Sequence, residues 1–295
     1  MATVDAPPTR IAPAIQHWTR DSAEYPKELL ELAQPPLELY AIGRKTALSK
    51  PRVSIVGTRN STGYGERITR TLTRALVRAG VSVVSGMARG IDAAAHRTAL
   101  EEGGNTVAVL GTGVDVPYPV GHRQLHAAIG EFGVVLSENP PGARAGPGSF
   151  PKRNRIIAAL APVTIVVEAG FRSGALNTAG QALELNRVVA AVPGPIDSEQ
   201  SRGSNQLLRD GAVLIAAPED ALTLLGLSLS KEMARPPLLP DSEQKVWDAI
   251  EGGFVLTDSL PACTGLTLAE CLTAITSLEI MGLIECSLAG EIRRR

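Results

Sequence analysis

The chain has 295 residues, of which 44 % are hydrophobic, and its 29 basic and 30 acidic residues give a net charge of −1. This length predicts one large and one small domain, and the composition is that of a globular protein without a run of 18 apolar residues that would span a membrane. Three cysteines whose spacing fits no metal site (Cys263, Cys271 and Cys286) and an N-terminus without an apolar secretory core predict reduced thiols and a cytoplasmic location.

The near-neutral net charge of the whole chain is the sum of a basic part and an acidic part. Residues 53–217 contain 16 basic and 12 acidic residues, a net charge of +4, and 15 of those 16 basic residues are arginines. Residues 241–295 contain 4 basic and 9 acidic residues, a net charge of −5. A polyanion is therefore expected to bind the first part and to be repelled by most of the second.

Residues 1–52 are predicted to form an N-terminal extension that packs on the main domain. The extension is proline-rich at its start. The segment from Tyr25 to Leu30 then predicts a short helix, and residues 37–42 predict a strand. This content is too small for a separate domain.

Residues 53–225 are predicted to form an α/β domain with a doubly wound, mostly parallel, Rossmann-like sheet. Short β-branched apolar runs, typical of strands buried on both faces, lie at residues 53–56, 81–84, 106–110, 134–136, 163–167, 188–192 and 212–215. Amphipathic patterns typical of helices lie between them, at residues 66–79, 93–102, 154–161 and 175–186. Ligands of such sheets bind outside the carboxyl ends of the strands.

Residues 226–240, which hold three prolines, predict a linker, and residues 241–295 predict a small winged-helix domain. Helices are expected at 242–250, 257–260 and 267–281, followed by a hairpin at 283–294. The candidate recognition helix carries Glu270 and Glu279 and no lysine or arginine, so it is not expected to be the principal DNA-binding surface. Protein contacts, or help from the three terminal arginines (residues 293–295), are the expected roles of this domain.

Three loops place glycine and arginine where a buried strand passes into a helix. A helix N-terminus presents unpaired N–H groups and the positive end of the helix dipole, glycine allows close backbone approach, and arginine binds two phosphate oxygens at once. The residues concerned are Gly57, Thr58, Arg59, Ser61, Gly63 and Gly65 in the first loop, Gly86 and Arg89 in the second, and Lys152, Arg153, Asn154 and Arg155 in the third. Three such loops along one sheet edge predict binding of several successive phosphates, as in a nucleic-acid backbone.

The first loop differs from the common nucleotide-binding motifs. Its glycine spacing does not match the dinucleotide fingerprint, and no acidic residue ends the following strand, where Val84 leads into Ser85. The chain has no Gly-Lys pair, which excludes a Walker A loop. Arg59 directly follows the strand-end Gly57-Thr58, and this favours a phosphate contact over a solvated turn arginine.

The second loop predicts structural roles for two polar residues. Asp92 is expected to be the N-cap of the following helix. His96, four residues later on the same helical face, is expected to be a structural histidine and not a base, because no nucleophile or metal ligand lies nearby.

The third loop and a later turn leave alternatives open. Arg153 and Arg155 are expected at a helix start, where two cations oppose the helix dipole unless an anion is bound. Phe150 is interpreted either as a stacking platform for an unpaired base or as a core residue. Ser173 and Gly174, in the turn after Glu168, are interpreted either as phosphate ligands or as a helix cap.

These motifs in this order resemble the bacterial DNA-processing protein A family (DprA, also called Smf). The resemblance covers roughly Tyr25 to Leu225 and rests on residues 54–59, 85–96, 137–140, 150–157 and 173–176, and the tail resembles the winged-helix domain of that family. It implies an extended Rossmann domain that binds single-stranded DNA, forms a homodimer and helps load the RecA recombinase onto DNA taken up in natural transformation. By motif, the family's phosphate-binding arginine corresponds to Arg59, its stacking aromatic to Phe150, and its basic pair to Arg153 and Arg155.

The leading interpretation is therefore a binding protein without catalytic activity, metal, ATP or covalent cofactor. The alternative is a Rossmann-like nucleoside monophosphate hydrolase that would use Glu168 beside Ser173 and Gly174. No convincing acid–base pair accompanies that glutamate, and one nucleotide would leave most of the arginines unexplained. A double-strand transcription regulator is a third hypothesis, and the acidic tail argues against it.

Overall fold

The computed structural model describes residues 14–227, 239–250, 255–287 and 290–294, with the side chains of 293 and 294 excepted. The chain divides into two compact units, Met1–Leu229 and Ser230–Arg295. Most of the predicted linker at 226–240 and the side chains of the three terminal arginines lie outside the described residues.

A nine-stranded sheet forms the centre of the first unit, with the strand order β1-β2-β6-β5-β4-β3-β7-β8-β9. Its strands are β1 (Gln16–Thr19), β2 (Glu38–Gly43), β3 (Arg52–Val56), β4 (Ser82–Ser85), β5 (Thr106–Val109), β6 (Val134–Ser137), β7 (Val163–Val166), β8 (Val188–Ala191) and β9 (Val213–Leu214). All pairs from β3 to β9 are parallel, whereas β2 runs antiparallel to β6 and β1 antiparallel to β2. The prediction of a mostly parallel sheet is thus confirmed.

Helices cover both faces of this sheet. They are α1 (Gly63–Arg78), α2 (Ile91–Glu101), α3 (Arg123–Phe132), α4 (Ser149–Ala159), α5 (Gly174–Glu184), α6 (Arg202–Arg209) and α7 (Pro218–Leu224). Side chains of α4 and α5, such as Ile156 and Ala179, belong to a core on one face, and side chains of α1 and α2, such as Leu72 and Ile91, belong to a core on the other. The strands β3, β4, β7 and β8 contribute side chains to both cores, and β5 and β6 contribute to the first core and to a separate cluster with α3, which explains the unbroken apolar runs in the sequence.

The N-terminal segment extends the sheet, which the sequence did not predict. Residues 38–43 form β2 as expected, but they hydrogen-bond to β6 as part of the main sheet, and β1 was not foreseen. A 3₁₀ helix at Lys27–Glu31 lies between them, and Trp18, Tyr25 and Leu29 are buried in the same core as α4. Four residues of β1 are too few to show a periodic pattern.

The second unit has the winged-helix architecture that was predicted. It contains α8 (Asp241–Ala249), α9 (Leu260–Thr264) and α10 (Leu268–Ile280), with a three-stranded antiparallel sheet of β10 (Val255–Leu256), β12 (Glu291–Arg294) and β11 (Ile284–Cys286) in that spatial order. The predicted hairpin is confirmed, and β10 is an additional strand. Trp247, Leu260, Cys271 and Leu278 are buried in the small core of this unit.

A membrane-spanning helix needs about 20 predominantly apolar residues. No single described helix is both long and apolar enough to cross a bilayer. The winged-helix segments Thr257–Thr264 and Leu268–Ile280 pass only when counted together across a bend of 111°.

Candidate functional site

A cleft of about 500 Å³ opens at the carboxyl edge of the parallel strands, where the predicted loops gather. The predicted site residues that line it are Gly57, Thr58, Arg59, Phe150, Arg153, Asn154, Ser173 and Gly174. The predicted site residues outside its lining are Ser61, Gly63, Gly65, Gly86, Arg89, Lys152 and Arg155. Each set contains both exposed cations (Arg59; Arg89 and Lys152) and a largely buried one (Arg153; Arg155), and exposure decides which of them can contact a ligand.

The first loop is held in place by the buried carboxylate of Glu168. The backbone N–H of Thr62 donates to Glu168 Oε2 at 2.9 Å, and the Thr62 hydroxyl donates to Oε1. Thr62 is also the N-cap of α1, and its hydroxyl accepts from the Gly65 N–H at 3.1 Å. A Cβ atom at Gly65 would lie 2.1 Å from Glu168 Oε2, so this glycine is needed for close packing. Glu168 is 1 % exposed and does not line the cleft.

Arg59 stands at the rim of the cleft with its side chain exposed. Its guanidinium carbon lies 5.2 Å from the centre of the Phe150 ring, a distance typical of a cation–π contact. Phe150 is half-buried, and the centre of its ring lies 4.8 Å from that of Tyr118. Phe150 is therefore a wall of the cleft and not a plug of the core.

The second loop packs directly against the first. The N–H of Ile91 donates to the Thr58 carbonyl at 3.3 Å. Gly90 has a φ of 73°, and a Cβ there would lie 2.3 Å from the same carbonyl oxygen. Because Gly90 precedes α2, the prediction that Asp92 is the N-cap is wrong; Asp92 lies in the first turn. Arg89 is exposed beside this junction.

Arg153 lies in the floor of the cleft and is almost fully buried. It is 5 % exposed, and its Nη1 donates to the carbonyl of Gly86 at 2.7 Å and to the carbonyl of Val109. Asp92 accepts from the N–H groups of Gly86 and Ala88 at 3.1 and 3.4 Å. Burial raises the pKa of Asp92 against the opposing charge of Arg153, and burial lowers the pKa of Arg153 to about 10, so this guanidinium stays charged at neutral pH.

The third loop differs from its prediction in where its helix starts. Helix α4 begins at Ser149, so Arg153 and Arg155 lie one and nearly two turns inside it, and the expected helix-start position is wrong. Arg155 forms an ion pair with Glu138, and only 13 % of its side chain is exposed. Lys152 Nζ lies 3.4 Å from the same carboxylate, but 61 % of its side chain is exposed. Lys152 is therefore the most accessible cation of α4.

The turn before α5 supplies the remaining wall. Ser173 caps this helix by accepting from the Ala175 N–H at 3.3 Å. Asn154 Nδ2 donates to Asn177 Oδ1 at 3.1 Å and to the Gly174 carbonyl at 3.3 Å, which joins α4 to α5 across the cleft floor. Phe171 and Arg172 also line the cleft, both exposed, and the sequence analysis missed them. An aromatic–arginine pair just before a Ser-Gly helix start was the signal available.

Few groups near the cleft are arranged for proton transfer. His96 is fully buried, its Nδ1 lies 2.6 Å from Thr106 Oγ1, and burial lowers its pKa to about 3, which agrees with the predicted structural role. Glu168 and Asp92 are both occupied by backbone donors. Over the described residues, no group of three or more His, Cys, Asp or Glu side chains is placed to hold a metal ion. The accessible chemistry of the cleft is positive charge with aromatic surface.

Comparison with known proteins gives matches over nearly the whole described chain. The family model described as DNA recombination-mediator protein A matches residues 16–226, and that of the DprA winged helix domain matches residues 230–290. A putative DNA processing protein DprA of Mycobacterium tuberculosis is 44 % identical over 85 % of this chain and 67 % of its own length. Protein Smf of Escherichia coli is 35 % identical over 93 % and 76 %.

Two solved structures are similar to this chain in fold and in sequence. The crystal structure of DNA processing protein A from Streptococcus pneumoniae has a TM-score of 0.69 and 39 % identity, covering 71 % of this chain and 74 % of that one. A structure of DNA processing protein A from Helicobacter pylori, which concerns its single-stranded DNA binding mode, has a TM-score of 0.66 and 31 % identity, covering 73 % and 98 %.

Proposed function

This chain belongs to the DNA recombination-mediator protein A family, and we propose that it binds single-stranded DNA across the cleft as a recombination mediator. The observation that carries the proposal is the set of exposed cations around the cleft. They come from four different loops or helices and are Arg59, Arg89, Lys152 and Arg172. One mononucleotide would leave most of them unpaired, whereas a strand supplies a phosphate for each.

The buried arginines support the proposal in a different way. Arg153 ties the ends of β4 and β5 together through their carbonyls, and Arg155 is neutralised by Glu138. We infer that Arg153 and Arg155 hold the loops that carry the exposed cations and do not themselves contact phosphate. The glycines of the first loop, together with Ser61, would shape the same surface.

The alternative hydrolase is less well supported by this geometry. It requires an acidic group that can reach a nucleotide in the cleft. Glu168, the candidate, is bound to both the N–H and the hydroxyl of Thr62 and faces the base of α1. We propose binding without catalysis, and release of free base from nucleoside monophosphates, lost on Glu168→Gln, would contradict this.

We propose RecA as the protein partner and natural transformation as the setting, on the ground of family membership alone. These roles would place the protein in the cytoplasm. A homodimer is also proposed. Its best support is the sheet edge that β9 forms among the described residues, where Val213 and Leu214 are exposed, together with the exposed Leu183 of α5 and Val188 of β8.

The winged helix is proposed to serve protein contacts more than DNA. Helix α10 carries no basic residue, and its exposed side chains include Leu268, Leu272 and Ile280. Phosphate charge on duplex DNA would meet Glu270 and Glu279 there.

A salt-dependent titration tests the DNA-binding proposal. Fluorescence anisotropy of a labelled oligo-dT should give a logarithmic affinity that falls with a slope of about −3 to −4 against log salt, as expected for roughly four to six neutralised phosphates. Arg59→Glu should remove most of the affinity. Arg78→Glu is the matched control. Arg78 is an exposed arginine at the C-terminal end of α1, which leads into the amino end of β4, at the sheet edge opposite the cleft. A flat salt response, or equal affinity for duplex, would contradict the proposal.

A further inference from the structure

Phe171 is a large apolar side chain that the core does not use. It is 72 % exposed at the mouth of the cleft, in a chain with only 3 % aromatic residues. The turn that carries it is fixed on both sides. The Ser173 N–H donates to the Gly170 carbonyl at 3.0 Å, and the Gly203 N–H of α6 donates to the Ala169 carbonyl at 2.6 Å. An exposed ring on a fixed turn is a ready-made contact surface.

The other aromatic wall of the cleft is already occupied. Phe150 has the Arg59 guanidinium 5.2 Å from its ring centre and Tyr118 at 4.8 Å. A base that stacked fully on Phe150 would have to displace one of these neighbours. Phe171 presents its ring to solvent, so a base can stack there without displacing any protein group.

The neighbours of Phe171 match the rest of a nucleotide. Arg172 is exposed, directly follows Phe171 in the chain and lines the same cleft. Asn177 is exposed on the first turn of α5 and lines the same cleft. Stacking surface next to positive charge is the combination by which proteins bind single strands without reading their sequence.

We propose that Phe171 stacks on one unpaired nucleobase of the bound strand and that Arg172 pairs with an adjacent phosphate. This inference rests on the proposed binding of single-stranded DNA. It extends the bound strand from the Arg59 and Lys152 side of the cleft across to the start of α5. It also separates two roles, because Phe150 supports Arg59 whereas Phe171 contacts the base.

Two probes separate base stacking from phosphate contact. Anisotropy titrations with full-length protein use a labelled oligo-dT and an abasic strand of equal length, which keeps the phosphates and lacks the bases. Phe171→Ala should raise the Kd for oligo-dT about five- to 150-fold, the range for loss of one base–aromatic stack, and leave the Kd for the abasic strand unchanged. Phe171→Trp should retain the wild-type affinity, and Phe171→Leu should behave like the alanine variant.

Phe132→Ala is the matched control. Phe132 is 49 % exposed and lies beside Arg44, but it ends α3 at the opposite edge of the sheet, so its loss should change neither Kd. A 2-aminopurine placed in the strand should be quenched on binding to wild-type protein and less so on binding to Phe171→Ala.

Three results would overturn the inference and leave the proposed function standing. Unchanged oligo-dT affinity in Phe171→Ala would show that no base stacks there. An equal loss for both strands would assign Phe171 to loop geometry, and a change in the sedimentation mass of Phe171→Ala without DNA would assign it to a protein interface. If wild-type protein failed to bind oligo-dT at all, the proposed function would fail, and this inference with it.

Discussion

Replacing Arg153 with methionine should lower stability and leave DNA contacts largely intact. Methionine keeps most of the length of the side chain but removes its charge and donors. The carbonyls of Gly86 and Val109 would lose their donor, and buried Asp92 would lose the nearby positive charge. Removing a buried charge that offsets an opposite buried charge and donates to buried carbonyls costs about 3–5 kcal/mol of unfolding free energy. For a unit of this size, that corresponds to a fall in Tm of roughly 6–20 °C.

The two tryptophans of the chain make this loss measurable in the first unit alone. Trp18 is buried in the first unit and Trp247 in the second, so in a Trp247→Phe background the fluorescence reports only on Trp18. Urea unfolding would be compared for Arg153→Met and for Arg59→Met, the same substitution at an exposed arginine. The second variant should change stability by less than about 0.5 kcal/mol and should weaken DNA binding.

A double-variant cycle with Asp92→Asn isolates the charge pair. If Asp92 is the group left unpaired, the double variant should be more stable than the sum of the single losses implies, by about 0.5–3 kcal/mol. An Arg153→Met variant that is as stable as wild type and binds oligo-dT more than tenfold more weakly would refute this structural role of Arg153. In that case the guanidinium would contact phosphate after all.

Three further predictions follow from particular contacts. Burial lowers the pKa of His96 to about 3, so between pH 6.5 and 3 the unfolded chain binds one proton more than the folded chain. The unfolding free energy therefore falls as pH falls, by about 1.4 kcal/mol per pH unit. Urea titrations at pH 7 and 5 should show a smaller decrease in unfolding free energy for His96→Gln than for wild type. Phe150→Ala should weaken binding of oligo-dT and of an abasic strand alike, by about 0.5–1 kcal/mol, because it removes the ring beneath Arg59. A loss of affinity confined to oligo-dT would instead make Phe150 the residue that stacks on a base. A chain ending at Leu229 should keep its oligo-dT affinity within about threefold, and loss of binding by that folded chain would contradict the charge argument for the winged helix.

The sequence predicted the sheet well because its signal is local. Each parallel strand is a short β-branched run, and each begins and ends within about two residues of its prediction, as β3 (Arg52–Val56) and β7 (Val163–Val166) show. The edge strand β1 was missed because four half-exposed residues carry no such pattern. Its pairing with β2 is a tertiary contact.

Whether each arginine is buried or exposed could not be predicted from the local sequence. Arg153 and Arg155 are two residues apart and look alike in the sequence. The acceptors of Arg153 lie 44 and 67 residues away, and the partner of Arg155 lies 17 residues away. Only the folded sheet brings those groups together, so a basic motif predicts positive charge at this edge but not which charges face solvent.

The division between buried and exposed cations has a consequence for binding. Arg59, Arg89, Lys152 and Arg172 are held at one edge of the sheet by elements that cannot easily move apart, because Glu168, Arg153 and Gly90 fix the loops to one another. Positive charges kept on one surface repel each other, and each phosphate that binds relieves part of that repulsion. Affinity should therefore rise with the number of phosphates until the strand spans the cleft. A mononucleotide, which cannot reach all four cations, should remain a weak ligand even though the cleft is large enough to hold it.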